Sequence, residues 1–167
     1  GAIPDRFGLS EHEGVLRVAT FETDVQTSGI TPLGTEGGTL FELDHAGGLA
    51  PGETMTAARF VGDLGYLVTY VERKDPLFAI DLSDPSDIRV GGDLEISGWS
   101  DYLHPMAERG KLLAVGTDFT FWGDPVLTVS IFDVSDIDWP RLHDRYQLDA
   151  EVSEASADHH AFTYDRT

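Results

Sequence analysis

A chain of 167 residues, 41% hydrophobic and 25% charged, has the composition of one globular domain with its own core and not that of a disordered segment. Thirty acidic residues against eleven basic ones give a formal charge of −19, a field that repels nucleic-acid backbone and anionic membrane surfaces. The lack of cysteine excludes disulfides, thiol nucleophiles and Cys-ligated zinc, and no run of about 18 apolar residues is present to span a membrane as a helix.

The start, Gly1-Ala2-Ile3-Pro4, is neither a signal peptide nor an ordinary initiator and reads as the beginning of a piece of something longer. From there on, short apolar runs recur between turns rich in Gly, Asp and Pro. They fall at 15–21, 39–44, 54–61, 66–71, 77–82, 111–117, 127–133 and 141–148. The run Leu127-Thr128-Val129-Ser130-Ile131-Phe132-Asp133 alternates apolar with polar positions, as a strand with one buried face does. No stretch keeps a helical period for more than about two turns. Many short strands with turn signals between them predict an all-β domain.

Two strand types repeat. One is an apolar run closed by Asp: Leu40-Phe41-Glu42-Leu43-Asp44, Leu77-Phe78-Ala79-Ile80-Asp81 and Val129-Ser130-Ile131-Phe132-Asp133. The other follows a glycine: Gly14-Val15-Leu16, Gly65-Tyr66-Leu67 and Gly110-Lys111-Leu112, at intervals of 51 and 45 residues. Asp81-Leu82-Ser83-Asp84 matches Asp133-Val134-Ser135-Asp136 at an offset of 52, with Arg89-Val90 matching Arg141-Leu142. A period near 45 to 50 with four strands per unit is that of propeller blades. The fold expected is therefore a partial β-propeller in one segment over 1–167. It has about three four-stranded antiparallel blades, at about 7–53, 54–98 and 99–149, and the start of a fourth at 150–167. Three blades do not close a ring, so the apolar end faces must be covered by the remaining blades of a longer chain or by self-association.

Several segments carry a resemblance: Asp75-Pro76-Leu77-Phe78-Ala79-Ile80-Asp81-Leu82-Ser83-Asp84-Pro85, Ser100-Asp101-Tyr102-Leu103-His104-Pro105 and Asp158-His159-His160-Ala161-Phe162. With Leu16-Arg17-Val18-Ala19-Thr20, Leu49-Ala50-Pro51-Gly52-Glu53 and Ala58-Arg59-Phe60-Val61-Gly62-Asp63, they resemble secreted bacterial and archaeal proteins with a C-terminal β-propeller distantly related to WD-repeats. The resemblance covers nearly the whole chain. It implies a propeller fold and a secreted or cell-surface location, and it implies no established activity. The departure is length, since members of the family carry a longer propeller region.

In a propeller the innermost strand of each blade lines the central channel. Here those strands carry Ala58-Arg59-Phe60, Leu103-His104-Pro105 and Asp158-His159-His160, so Arg59, His104 and His159 become equivalent positions on one funnel, with Asp101 and Asp158 nearby. Convergent Arg and His could hold an anionic ligand or a metal, or could hydrogen-bond the neighbouring blade. The acidic turns Asp81/Asp84/Asp87 and Asp133/Asp136/Asp138 could bind Ca²⁺. They lack the mid-loop Gly and closing Glu of the twelve-residue calcium loop, and Asp before a turn is also a plain turn former. Glu11-His12-Glu13 and His159-His160 lack the spacing of a zinc-protease helix, and no Gly-x-Ser-x-Gly elbow or phosphate-cradling glycine loop occurs. Trp99, Trp122 and Trp139 fall in or beside loops, where they could anchor a glycan or peptide or pack over blade edges. The leading expectation is a non-enzymatic binding or scaffold module outside the cytoplasm, with a protein or glycan ligand, no nucleic acid and no membrane insertion. The rival is a metal-assisted hydrolase or lyase built on the channel histidines, and a third reading is a structural stalk.

Overall fold

The computed structural model describes residues 2–3, 6–70, 74–106, 108–150 and 153. The described part is thirteen strands and one short 3-10 turn at Arg6–Gly8, in three antiparallel sheets. The first sheet holds β1 (Leu9–His12), β2 (Val15–Glu22), β3 (Thr27–Glu36) and β4 (Thr39–Glu42) in that order, with β5 (Ala46–Leu49) also pairing β3. The second runs β6 (Thr54–Val61), β7 (Leu64–Tyr70), β8 (Lys74–Asp81), β9 (Arg89–Ser97). The third runs β10 (Trp99–Pro105), β11 (Lys111–Phe119), β12 (Pro125–Asp133), β13 (Arg141–Leu148). Every pairing joins strands adjacent in sequence, apart from β3 with β5. Each sheet is thus a meander of the kind that makes a propeller blade. The fold is all-β and matches a partial β-propeller.

Alternation gives the second sheet two buried faces, and the core follows the gaps between sheets. Ala19 and Ile30 of the first sheet pack with Met55, Ala58, Leu67, Ile80 and Leu82 of the second. On its other face the second sheet presents Ala57, Tyr66, Val68, Leu77 and Ala79 to Leu103, Leu112, Ala114, Phe132 and Val134 at the third. Phe132, Ile30, Leu67, Leu77 and Leu112 are among the largest fully buried side chains, so truncating any of them to Ala would cost about 2–5 kcal/mol. The far face of the third sheet carries Tyr102, Val115 and Leu127 with Leu113 and Leu148 beside them, joined by Phe7 from the N-terminal turn.

Polar ties stitch successive sheets together. The Thr56 hydroxyl donates to the Ser100 carbonyl at 3.0 Å, and the Ile88 amide donates to the Asp44 carboxylate at 2.8 Å. The Gly92 amide donates to the Ile137 carbonyl at 2.8 Å. That last approach explains Gly91-Gly92 in the middle of β9: a Cβ on Gly92 would stand 2.3 Å from the Asp138 carbonyl oxygen, and one on Gly91 would stand 2.4 Å from that of Ile137. Only glycine lets the turn of the next sheet dock on this strand.

Two strand matches made from the sequence differ in the structure. The run 40–44 is not a third strand like 77–81 and 129–133. It begins in β4, the outermost strand, whose four residues are all exposed, while the third place belongs to β3. The glycine-led match is also shifted by two residues. Asp81 pairs with Leu64 and Asp133 with Lys111, so Lys111 corresponds to Leu64 and not to Tyr66.

Candidate functional site: a cluster of Phe7, Arg59, Tyr102 and His104

The first strands of the second and third sheets, β6 and β10, run side by side. Each is interrupted by one bulged residue, Thr56 on β6 and Asp101 on β10, where the register to the second strand shifts. Counting from the bulge, Ala57 matches Tyr102, Ala58 matches Leu103 and Arg59 matches His104. The pairing agrees: Arg59 faces Tyr66 and His104 faces Leu113, the two positions that lie two residues beyond Leu64 and Lys111. The same count places Ser10, which pairs with Arg17, at this position on β1. Sequence reasoning put Arg59 and His104 at equivalent places, and the register does the same. It adds Ser10, which carried no recognisable signal. His159 and Asp158 lie outside the described residues.

The N-terminal turn bridges the two strands. The Arg59 guanidinium sits 4.3 Å from the centroid of the Phe7 ring, a cation–π distance. The Phe7 ring is 5.8 Å from that of Tyr102, and the Tyr102 hydroxyl is hydrogen-bonded to His104 Nδ1 at 3.2 Å. Phe7, Tyr102 and His104 thus form a chain leading from one inner strand to the next. Tyr102 and His104 share a face because they are two apart on a strand. Phe7 stands in a 3-10 turn where no period marks it. A hollow of about 210 Å³ opens beside Phe7, Leu9, Ser10, Arg59 and Phe60. One step round, Arg17 is almost wholly buried and lies 4.9 Å over the Phe60 ring. It donates to the Ser10 hydroxyl at 2.7 Å and to the Gly62 carbonyl, and burial lowers its pKa against the opposing pull of Asp63 and Glu11.

Asp101 accepts a hydrogen bond from the Trp99 indole at 2.9 Å, and Trp99 itself packs between Tyr70 and Phe119. Trp122 and Trp139 are exposed on loops. The acidic turns use their carboxylates to hold backbone. Asp81 accepts from the Ser83 amide and Asp84 from that of Ser86. Asp133 accepts from Ser135 and Asp136 from the Asp138 amide. Asp87 donates its amide to the Asp84 carbonyl at 3.1 Å. Asp133 is further held by Lys111 at 3.1 Å and Arg141 at 3.3 Å, and Asp138 by Arg89 at 2.5 Å. Hydrogen bonds from Ser135 and then Lys111 hold the Asp133 pKa well below the usual carboxylate range, and Ser83 lowers that of Asp81. Among the described residues no group of three or more His, Asp or Glu side chains is arranged to hold a metal ion.

Comparison with known proteins bears on what this arrangement is. A family model described as a beta propeller domain matches residues 1–167. This chain belongs to the β-propeller domain family. The propeller is 38% identical over 170 residues to an uncharacterized protein of Methanocaldococcus jannaschii, an alignment covering 99% of this chain and 26% of that protein. It is 36% identical over 165 residues to an uncharacterized protein of Archaeoglobus fulgidus, covering 99% of this chain and 25% of that one. The propeller sequence therefore spans about a quarter of the length of these relatives. No solved structure matches it.

Proposed function

We propose that this propeller is a binding or scaffold module working outside the cytoplasm, secreted or at the cell surface, and that it takes an anionic group of a protein or glycan ligand at the channel edge beside Arg59 and His104. The observation that carries the reading is the equivalence of these two residues on neighbouring inner strands, bridged by Phe7 and Tyr102. An Arg and a His placed together in a chain of charge −19 make a local island suited to an anion, with the Phe7 and Tyr102 rings offering apolar contact to its body. The far face of the third sheet, with Leu113, Leu127 and Leu148, suits the next blade of a longer chain or a second copy.

The test is an NMR titration of the purified chain with sulfate as the anionic probe, following the His104 ring and the Arg59 side chain. The reading predicts a saturable shift at both, abolished in Arg59→Ala. No shift at either residue, or an equal response in the variant, would contradict it. Location is tested by fractionating cells of the source organism with an antibody to the propeller. Recovery from the medium or envelope is expected, and recovery from the cytosol alone would remove that part of the reading.

A further inference from the structure

A second cavity lies between the second and third sheets, at the end that carries the turn at 62–63 together with Met106 and Glu108, Arg109 and Gly110. Its volume is about 610 Å³, within the usual span for small-molecule sites. The walls are largely apolar: Val61, Leu64, Pro105, Met106, Leu112 and Val134. Leu112 and Val134 belong to the core between the sheets, so the groove reaches down to that core. Its lining also includes Tyr66. This residue is only 2% exposed, and its backbone is sandwiched in the sheet between Arg59 and Ala79, so it meets the cavity through its side chain.

The Tyr66 hydroxyl makes no hydrogen bond among the described residues, nor is it shut away with the wholly buried unsatisfied atoms, which are Arg17 Nε and Ser28 Oγ. A tyrosine with a buried ring usually finds a partner for its hydroxyl, because an unmade bond leaves the group's desolvation uncompensated. Burial also pushes its pKa up to about 12, so at neutral pH the group is an intact O–H donor. The rim carries both signs, Asp63 and Glu108 with Arg109 and Lys111, and Lys111 is already bound to Asp133. Such a rim selects for neither charge. An apolar slot with one inward donor and a balanced rim matches an uncharged molecule.

We propose that this inter-sheet groove is a binding site for a small uncharged ligand with an apolar body and a carbonyl oxygen, the oxygen accepting the hydrogen bond of Tyr66 while the body lies against Leu64, Met106 and Leu112. Arg59 is the cross-strand neighbour of Tyr66, but neither it nor Phe7, Tyr102 or His104 lines this groove.

The probe is 4-phenyl-2-butanone, a phenyl ring and a ketone on a short linker, titrated into the whole chain and followed by amide NMR shifts. Saturable shifts confined to residues 61–66, 106, 108–112 and 134 are expected in the wild type. Tyr66→Phe removes only the hydroxyl, so its fold is checked by thermal melting, and its affinity for the probe should fall about three- to tenfold, the worth of one neutral hydrogen bond. Met106→Trp, which fills the slot from its rim, should abolish the shifts. Failure of the probe to saturate in the wild type, shifts centred elsewhere, or equal affinity in Tyr66→Phe would overturn the proposal.

Discussion

Arg59 and His104 occupy one and the same register position on successive inner strands, each three residues beyond a bulge and each opposite the second strand's third position counted from Leu64 or Lys111. They are 45 residues apart in sequence, yet Phe7 and Tyr102 connect them in space. The equivalence is a property of the repeat and not of any local motif. Each sheet offers the same position on its first strand and fills it with a different side chain: Ser10, then Arg59, then His104.

Phe7 is the only described contact from the N-terminal turn that joins both of these strands through aromatic chemistry, so its loss should be felt at a distance. Phe7→Ala should lower stability by about 1–3 kcal/mol in urea denaturation, from one cation–π contact, one aromatic contact and lost burial. The same variant should change the Tyr102 and His104 ring resonances. Unchanged stability with unchanged ring shifts would mean that the turn is not docked.

Acid should weaken the fold through the turns. The folded-state pKa values of Asp133 and Asp81 lie below their ordinary values, mainly because Ser135 with Lys111, and Ser83, stabilise the charged forms. A depressed carboxylate contributes stability that is complete above its unfolded pKa, about 3.9, and is lost as pH falls toward its folded value. Denaturation midpoints should therefore fall below about pH 4. Asp133→Asn should flatten that dependence, as followed by circular dichroism across pH. A steeper dependence in the variant would contradict the assignment.

Two ion pairs near the junction of the second and third sheets should behave very differently. Arg145 and Asp118 are 3.1 Å apart with 14% and 10% of their side chains exposed, and Arg145 also donates to the Ser97 carbonyl on the neighbouring sheet at 3.0 Å. Removing one partner strands a largely buried charge, so Arg145→Ala should cost about 3–5 kcal/mol. Arg89 and Asp138 are each about half exposed, and Arg89→Ala should leave stability nearly unchanged. Thermal denaturation of both variants checks the order, and a reversed ranking would count against the inter-sheet packing described here.

The apolar far face of the third sheet should drive association of the isolated chain. Light scattering should give a mass above 18.2 kDa that falls toward it in Val129→Glu, which puts a charge on that face beside Val115 and Tyr146. A wild type that is monomeric and stable would show that the face is covered within the chain.

The second and third blades were legible in the sequence because their strands alternate cleanly and end in the same Asp turn, as at Asp81-Leu82-Ser83-Asp84 and Asp133-Val134-Ser135-Asp136. The first blade was less so. The strand β3 reads Thr27-Ser28-Gly29-Ile30-Thr31-Pro32-Leu33-Gly34-Thr35-Glu36, and Gly and Pro within a run argue against a strand. Context overrides them: the Phe41 ring lies over Gly34, where a Cβ would be 2.7 Å from it. Asp44 resembles Asp81 in sequence but reaches across to the next sheet's Ile88 instead of closing its own turn. On the first strands of their sheets, the equivalence of Arg59 and His104 could be found by counting strands, whereas Phe7 could not be placed, because tertiary packing alone brings a 3-10 turn onto a strand 52 residues away.

The account stands or falls on two inner strands lying side by side with the N-terminal turn across them. A NOESY spectrum of the chain is the most direct measurement, read at the Phe7 ring protons. It should show cross-peaks from Phe7 to both the Arg59 side chain and the Tyr102 ring. Cross-peaks to neither, in a spectrum that does show Arg17 against Phe60, would contradict it.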